Sequence, residues 1–155
     1  MYRGVSHITM DAKGRLALPA RTREKLLGEC DGQIVVTIDT QAKCLLIYPL
    51  PEWENIEQQI QELPSMNQAV RRFQRLVIGY ASDLEFDANG RVLMPQSLRE
   101  YAGLQKKLVL VGQGKKMELW DEATWVAERD KWLEDSLDDA ALPDELMEIS
   151  PATCL

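Results

Sequence analysis

The stretch "MDAKGRLALPARTREKL" at residues 10–26 decides the fold, because the chain repeats it as "FDANGRVLMPQSLREYA" at residues 86–102. We call these segments the first copy and the second copy. Aligning them pairs residues of the same type: Asp11 with Asp87, Gly14 with Gly90, Arg15 with Arg91, Pro19 with Pro95, and Arg23 with Arg99. The 155-residue chain therefore contains an internal duplication.

Each copy predicts the same local structure. Alternating residues before the aspartate indicate a short strand, and a tight turn follows in which the aspartate accepts amide hydrogen bonds and the glycine supplies a positive φ. A returning strand completes a hairpin, and the proline is expected to be the first residue of a short helix. Apolar, β-rich runs follow each copy, at residues 33–53 and 107–125. Together these patterns predict an α+β fold.

Two amphipathic helices are expected between the copies, one between Pro51 and Pro64 and one after Ser65. Another is expected after Thr124 as N-cap, with an apolar face that reaches Leu137. The predicted organisation is a first repeat unit at 1–54, inter-repeat helices at 55–80, a second repeat unit at 81–126, and a C-terminal helix with an acidic tail at 127–155.

Composition and cysteine spacing limit the class of protein. With 45% apolar residues the chain is expected to be globular. It contains no run of about 18 apolar residues and no apolar N-terminal leader, which predicts a cytoplasmic protein without a membrane partner. Cys30, Cys44 and Cys154 are widely separated, so neither a disulfide framework nor a metal site is expected.

The net charge of −7 is unevenly distributed. Residues 1–25 carry a basic excess, whereas the residues from Asp121 onward set only Arg129 and Lys131 against many acids. DNA binding requires lysine and arginine to neutralise phosphates. The overall acidity therefore does not exclude DNA, because the N-terminal segment could supply a local basic surface.

Motifs of catalysis are missing from the sequence. His7 is the single histidine, and no phosphate-binding loop, dinucleotide fingerprint, nucleophile elbow or zinc-protease motif occurs. Residues 112–116, "GQGKK", lack the spacing of a phosphate-binding loop and are expected to form a hairpin turn. The sequence predicts a protein that is not an enzyme and needs no cofactor.

The aspartate and arginine of each turn have two interpretations. They could simply pair across the turn, or the turn could present guanidinium groups to phosphates and to guanine edges. In the first copy Lys13 and nearby arginines favour DNA contact. In the second copy Asn89 replaces Lys13, and Asp83 and Glu85 precede the turn, so the structural interpretation is favoured.

Several long motifs occur in the order typical of one family. Besides the two copies, these are "LLIYPLPEWENIEQQI" at residues 45–60, "VRRFQRLVIGYAS" at 70–82 and "KKMELWDEATW" at 115–125. The sequence resembles the MraZ family of bacterial transcription regulators. The resemblance implies two tandem swapped-hairpin units of the AbrB type that form a small β-barrel. It also implies a ring of about eight or more subunits.

The resemblance further implies sequence-specific binding to double-stranded promoter DNA at the nucleoid. The expected role is repression of the division and cell wall gene cluster, including the protein's own gene, through repeated promoter boxes. The predicted DNA contacts are Arg15, Lys13, Arg3, Arg21 and Arg23, and the predicted structural turn residues are Asp11, Gly14, Asp87, Gly90 and Arg91.

Two other functions remain open. Related swapped-hairpin domains include antitoxins that bind DNA and hold a toxin with an acidic extension, which the acidic tail would fit. Antitoxins usually carry one hairpin unit, however, whereas this chain carries two. A ring-forming scaffold without DNA would leave the basic excess of residues 1–25 unexplained.

Overall fold

The structure is a computed structural model that describes residues 1–135 and 143–145. The expectations for Leu137, for Cys154 and for most of the acidic tail lie outside these residues. The described strands are β1 (Val5–Thr9), β2 (Arg15–Ala17), β3 (Ile34–Ile38), β4 (Leu45–Pro49), β5 (Ser82–Leu84), β6 (Arg91–Leu93), β7 (Lys107–Gly112) and β8 (Met117–Asp121). The described helices are α1 (Ala20–Cys30), α2 (Leu50–Gln61), α3 (Gln68–Val77), α4 (Gln96–Ala102) and α5 (Glu122–Glu134). The α+β class is confirmed.

The strands of the two copies pair with each other. The larger sheet is antiparallel, with six strands in the order β1-β7-β8-β4-β3-β5, and β2 and β6 form a second, two-stranded sheet. Thus β1, which precedes the first copy, pairs with β7, which follows the second, and β5, which precedes the second copy, pairs with β3, which follows the first. The short sheet is centred on the pair Leu16 and Val92, which occupy the same position in the two copies.

This pairing corrects two expectations. The predicted hairpin is reduced at the first copy to one bridge between Met10 and Leu16, because β1 and β2 pair with strands from the second half of the chain. The predicted small β-barrel is not found in the described part of the chain. The strands instead form two separate sheets, since β2 and β6 pair only with each other as strands.

A shared core explains why the copies interleave. Every residue of β3 and of β8 is buried. Equivalent residues from both copies lie in one apolar cluster, among them Leu16, Leu18, Val92 and Met94, each at most 2% exposed. Both copies therefore contribute apolar surface that this one cluster removes from water.

Helix starts differ from the sequence prediction at several positions. Pro19 and Pro95 are N-caps rather than first helical residues, since their ψ angles of 143° and 145° are extended. Helix α2 begins at Leu50, one residue before Pro51. Helix α5 follows β8 directly at Glu122, so Thr124 lies inside the helix and is not its N-cap.

Residues Met1–Glu122 form one compact unit, and a second unit begins at Ala123. The first unit contains both copies and all strands of the described residues. Of the helices in the described residues, none has the length and apolar character that crossing a membrane demands.

Candidate nucleic-acid interface

The first turn, residues 11–15, is organised by the Asp11 carboxylate. Its Oδ1 accepts hydrogen bonds from the amides of Lys13 at 3.0 Å and Arg15 at 2.8 Å, and its Oδ2 accepts one from Arg15 Nε at 2.8 Å. Gly14 has a φ of +88°, which a residue with a side chain rarely adopts. Asp11 therefore fixes both the backbone of the turn and the guanidinium of Arg15.

The charges of the first turn face solvent. Asp11 and Lys13 are exposed, and the Arg15 side chain keeps a relative exposure of 33%. The hydrogen bond from the Arg15 amide, more than any other contact, holds the pKa of Asp11 below its usual range. The carboxylate stays ionised, and the turn presents Lys13 and Arg15 at the surface.

The second turn, residues 87–91, repeats this backbone geometry. Asp87 Oδ1 accepts from the amides of Asn89 at 2.8 Å and Arg91 at 2.9 Å, and the hydrogen bond from Arg91 lowers the pKa of Asp87. The side-chain pair is looser: Arg91 Nε lies 3.3 Å from Asp87 Oδ2, and this Nε has no hydrogen-bond partner in the described residues. Gly90 has a φ of +74°.

Each turn is covered by an arginine from the other copy. Arg99 of α4 lies against Gly14, so that a methyl group there would meet its Cζ at 2.8 Å, and Arg99 Nε donates to the Met94 carbonyl at 2.9 Å. Arg23 of α1 lies in the same way against Gly90. Its Nε is buried and has no hydrogen-bond partner in the described residues. The antiparallel pairing of β2 with β6 places these contacts across the repeat.

Arg3 and Arg21 lie together at a different place, which we call the N-terminal groove. It has a volume of about 360 Å³ and is lined by Met1, Tyr2, Arg3, Arg21, Thr22 and Lys25. Tyr2 fixes the chain terminus there: it is 7% exposed, its hydroxyl donates to Glu29 at 3.0 Å, and Lys25 Nζ lies 4.5 Å from its ring centroid. Burial is the main cause that raises the pKa of Tyr2.

The predicted DNA contacts thus fall in three places. Lys13 and Arg15 share the first turn, Arg3 and Arg21 share the N-terminal groove, and Arg23 lies at the second turn. Arg99 and Lys106, which sequence reasoning did not select, line a groove beside the first turn together with Asp11. Arg99 could have been selected from the sequence because it aligns with Arg23 in the two copies, whereas no motif marks Lys106.

One group in the described residues could hold a metal ion. A ligand atom from each of Asp39, Cys44 and Glu118 lies within 4.8 Å of the others. These atoms already have hydrogen bonds, from Cys44 Sγ to Asp39 at 3.6 Å and from Trp120 Nε1 to Glu118 at 3.0 Å. Burial raises the pKa of the Cys44 thiol and keeps it protonated, which disfavours metal binding because the thiolate is the ligand form.

His7 offers no catalytic arrangement among the described residues. It is exposed on β1, and its Nδ1 lies 3.4 Å from a carboxylate oxygen of Glu122. The two cysteines in the described residues also lack the features of a nucleophile: burial raises the pKa of Cys44 and keeps its thiol protonated, and Cys30 Sγ donates to the Leu26 carbonyl at 3.3 Å.

The duplicated, interleaved chain matches a known family over nearly its whole length. The family model described as the MraZ protein, with an antitoxin-like character, matches residues 1–76 and again residues 77–143. The chain belongs to the MraZ family. The two matches place one copy of the turn motif in each half.

Similar proteins carry one functional name. A protein of Alkalilimnicola ehrlichii is 53% identical over 146 residues, covering 94% of this chain and 97% of the relative. A protein of Coxiella burnetii is 54% identical over 153 residues, covering 97% and 99%. A protein of Pseudomonas aeruginosa is 52% identical over 149 residues, covering 96% and 99%. Each is named a transcriptional regulator of the MraZ type.

Proposed function

We propose that this protein is a transcription regulator that binds double-stranded DNA through the first turn. The observation that carries the proposal is the exposed Lys13 and the half-buried Arg15 on one turn, whose backbone and guanidinium are both fixed by Asp11. A preorganised arginine loses less conformational freedom on binding than a free one. The names of the similar proteins support the same function.

Arg15 is the proposed base-reading residue. A guanidinium can donate two parallel hydrogen bonds to O6 and N7 of guanine in the major groove, and such a contact contributes about 1–3 kcal/mol to discrimination between bases. Lys13 is the proposed phosphate contact of the same turn. Arg3 and Arg21 are proposed as further phosphate contacts, because the N-terminal groove brings the two cations together.

We assign Arg23 a supporting role instead. It lies against Gly90 with a buried Nε, so its guanidinium has less freedom to meet DNA than that of Arg15. The second turn as a whole is proposed to be structural: its lysine position holds Asn89, and the exposed acids Asp83 and Glu85 would repel phosphates.

The family resemblance extends the proposal. Residues 1–54 and 81–126 are proposed to act as two swapped-hairpin units of the AbrB type in tandem, which the pairing of strands between the copies supports. Several chains are proposed to assemble into a ring of about eight or more subunits that engages repeated promoter boxes. Such multivalent contact raises the overall affinity when the spacings match. The regulated genes are proposed to be the division and cell wall cluster, with repression as the outcome at the nucleoid.

Fluorescence anisotropy tests the proposed function. The purified protein is titrated onto labelled DNA from upstream of its own gene and onto scrambled DNA of the same composition, across a salt series. We expect the protein to bind promoter DNA more tightly than scrambled DNA. We also expect the affinity for both DNAs to fall as the salt concentration rises, because phosphate contacts release counterions. Equal, weak binding to both DNAs would contradict the proposal.

An antitoxin is the second candidate, favoured by the antitoxin-like description of the family. This function requires a toxin that binds a segment of the chain, and the acidic tail that would serve lies largely outside the described residues. Co-purification of the chain with a partner that it inhibits would support this candidate. Light scattering separates the two assemblies, because a ring of about eight subunits is much heavier than a dimer with its toxin.

A further inference from the structure

A groove lies between the first turn and a segment of the second copy's unit, residues 104–106. We call it the turn groove; its lining consists of Met10, Asp11, Ala12, Arg99, Leu104, Gln105 and Lys106. Two of these residues are cationic, Arg99 and Lys106, and both come from the half of the chain that does not carry the first turn. The groove thus adds positive charge to the first turn from outside its own motif.

Hydrogen bonds hold residues 104–106 in place. The Leu104 amide donates to the Arg99 carbonyl at 3.0 Å, and the Gln105 amide donates to the carboxylate of buried Asp121 at 2.9 Å. The Lys106 carbonyl accepts from the Met10 amide at 2.8 Å, one residue before the first turn. Lys106 is therefore fixed by its backbone to the base of the turn, while its side chain is exposed.

The single acid of the turn groove is already occupied. Asp11 accepts two amide hydrogen bonds and pairs with Arg15 Nε at 2.8 Å, so its charge is largely offset within the turn. Arg99 Nε is held by the Met94 carbonyl, which fixes the guanidinium plane beside Gly14. An anion that enters the groove would meet Lys106 and the outer face of Arg99.

The surface beside the strand that precedes the second turn has the opposite character. A groove there is lined by Gln33, Ile34, Leu50, Asp83, Leu84 and Glu85, with two acids and no cation. Each turn thus has one covering arginine, but Lys106 adds a further cation beside the first turn, whereas Asp83 and Glu85 line the groove beside the strand before the second. A shared structural need of the fold would not produce this difference.

We propose that the turn groove is a DNA-phosphate subsite in which Lys106 contacts the phosphate and Arg99 holds the turn and adds charge. The inference rests on the proposed function, since it places a backbone phosphate next to bases read from the first turn. The second half of the chain then contributes directly to the DNA contact of the first. Phosphate contacts fix the register of a protein on the duplex while base contacts supply sequence preference.

The test compares Lys106→Gln with Lys43→Gln, which removes the same charge from an exposed position in the loop between β3 and β4. Affinity for promoter and scrambled DNA is measured across a salt series on the full chain. For Lys106→Gln we expect affinity for both DNAs to fall by the same factor, roughly 3- to 10-fold, with the salt slope reduced by about 0.9 for each subunit that contacts DNA. For Lys43→Gln we expect no change.

Three outcomes separate this inference from the proposed function. A uniform loss with a smaller slope for Lys106→Gln alone supports the subsite. If wild-type protein prefers promoter DNA and Arg15→Ala abolishes that preference, but Lys106→Gln matches Lys43→Gln, the subsite is wrong and the proposed function stands. If wild-type protein binds both DNAs equally and weakly, the proposed function is wrong, and the subsite that rests on it is wrong as well. Thermal unfolding of each variant confirms that the fold is intact.

Discussion

The two turns share a backbone and differ in their surroundings. In both, an aspartate Oδ1 accepts two amide hydrogen bonds and a glycine has a positive φ. The first turn carries a lysine, a tight ion pair at 2.8 Å and a groove with two cations. The second carries an asparagine, a looser pair at 3.3 Å, a covering arginine but no counterpart of Lys106, and preceding acids. The comparison teaches that the motif specifies a turn, whereas charge around it specifies what the turn can bind.

The largest effects on stability and on DNA affinity are expected from replacing the glycines of the two turns. Gly14→Ala and Gly90→Ala each force a side chain into positive φ and against an arginine of the other copy. Each is expected to cost about 1–3 kcal/mol of unfolding free energy, which lowers the Tm by about 2–4 °C per kcal/mol. Only Gly14→Ala should also lower promoter affinity, by more than about tenfold, which corresponds to about 1.4 kcal/mol.

Calorimetry and anisotropy on both glycine variants check this prediction. Equal losses of DNA affinity would mean that both turns bind DNA, or that the fold as a whole was damaged. The size of the Tm loss separates these two cases: a loss no larger than predicted in both variants would mean that both turns bind DNA, and a much larger loss would mean general damage.

The covering arginines provide the next test. Arg99→Gln removes the hydrogen bond to the Met94 carbonyl, worth about 0.5–1.5 kcal/mol, and loosens the first turn. We expect promoter affinity to fall about 3- to 10-fold, which is the effect that the loss of one such hydrogen bond can produce. Arg23→Gln loosens the second turn and should leave affinity within about twofold.

Rescue distinguishes positioning from general damage. Arg99→Lys keeps the charge but lacks the planar group that lies on Gly14, so it should restore the salt slope without restoring promoter preference. Full recovery by the lysine variant would contradict a positioning role for Arg99.

The sequence predicted the turns but not their neighbours. Asp11, Gly14 and the proline that follows determine a local structure within a few residues, which is why the turns and the short helices were predicted correctly. The contacts of Arg23 and Arg99 depend on β2 pairing with β6, and that pairing joins residues far apart in sequence. Proximity in sequence therefore predicts that Arg23 contacts DNA together with Arg21, although the fold sets Arg23 against the second turn.

Lys106 shows the same limit for the candidate site. Its position beside the first turn depends on the pairing of β1 with β7, which sets Thr9 opposite Lys107. Periodicity predicts strands but not which strands become partners. The separation of the basic residues into the first turn and the N-terminal groove also depends on contacts between residues far apart in sequence. These are the hydrogen bond from Tyr2 to Glu29 of α1 and the bridge between Tyr2 and Gly114.

Adding a cation to the second turn should weaken the contrast between the turns. Asn89→Lys gives this turn the residue that the first turn has, on a backbone that already fits it. We expect affinity for promoter and scrambled DNA to rise together by about two- to fourfold at low salt, with no gain in preference. A new preference for promoter DNA would show that the second turn reads bases once it carries a lysine.

The smallest expected effect is on acid stability. The pKa values of Asp11 and Asp87 are lowered by amide hydrogen bonds in the folded chain, so both carboxylates stabilise the fold above their unfolded pKa of about 3.9. This stabilisation is lost as the pH falls through the lower folded values. Urea unfolding from pH 6 to pH 2.5 should show a shallower loss for Asp11→Asn and for Asp87→Asn than for wild type. An unchanged pH profile in both variants would contradict the role of these carboxylates.

The most direct measurement compares Arg15→Ala with Arg91→Ala on promoter and scrambled DNA at one fixed salt concentration. The two arginines occupy the same position in the two turns, and their side chains are similarly exposed, at 33% and 31%. We predict that Arg15→Ala abolishes the preference for promoter DNA, a loss of about 1–3 kcal/mol, and that Arg91→Ala keeps it within about twofold. Equal losses in the two variants, or retained preference in Arg15→Ala, would contradict the assignment of DNA reading to the first turn.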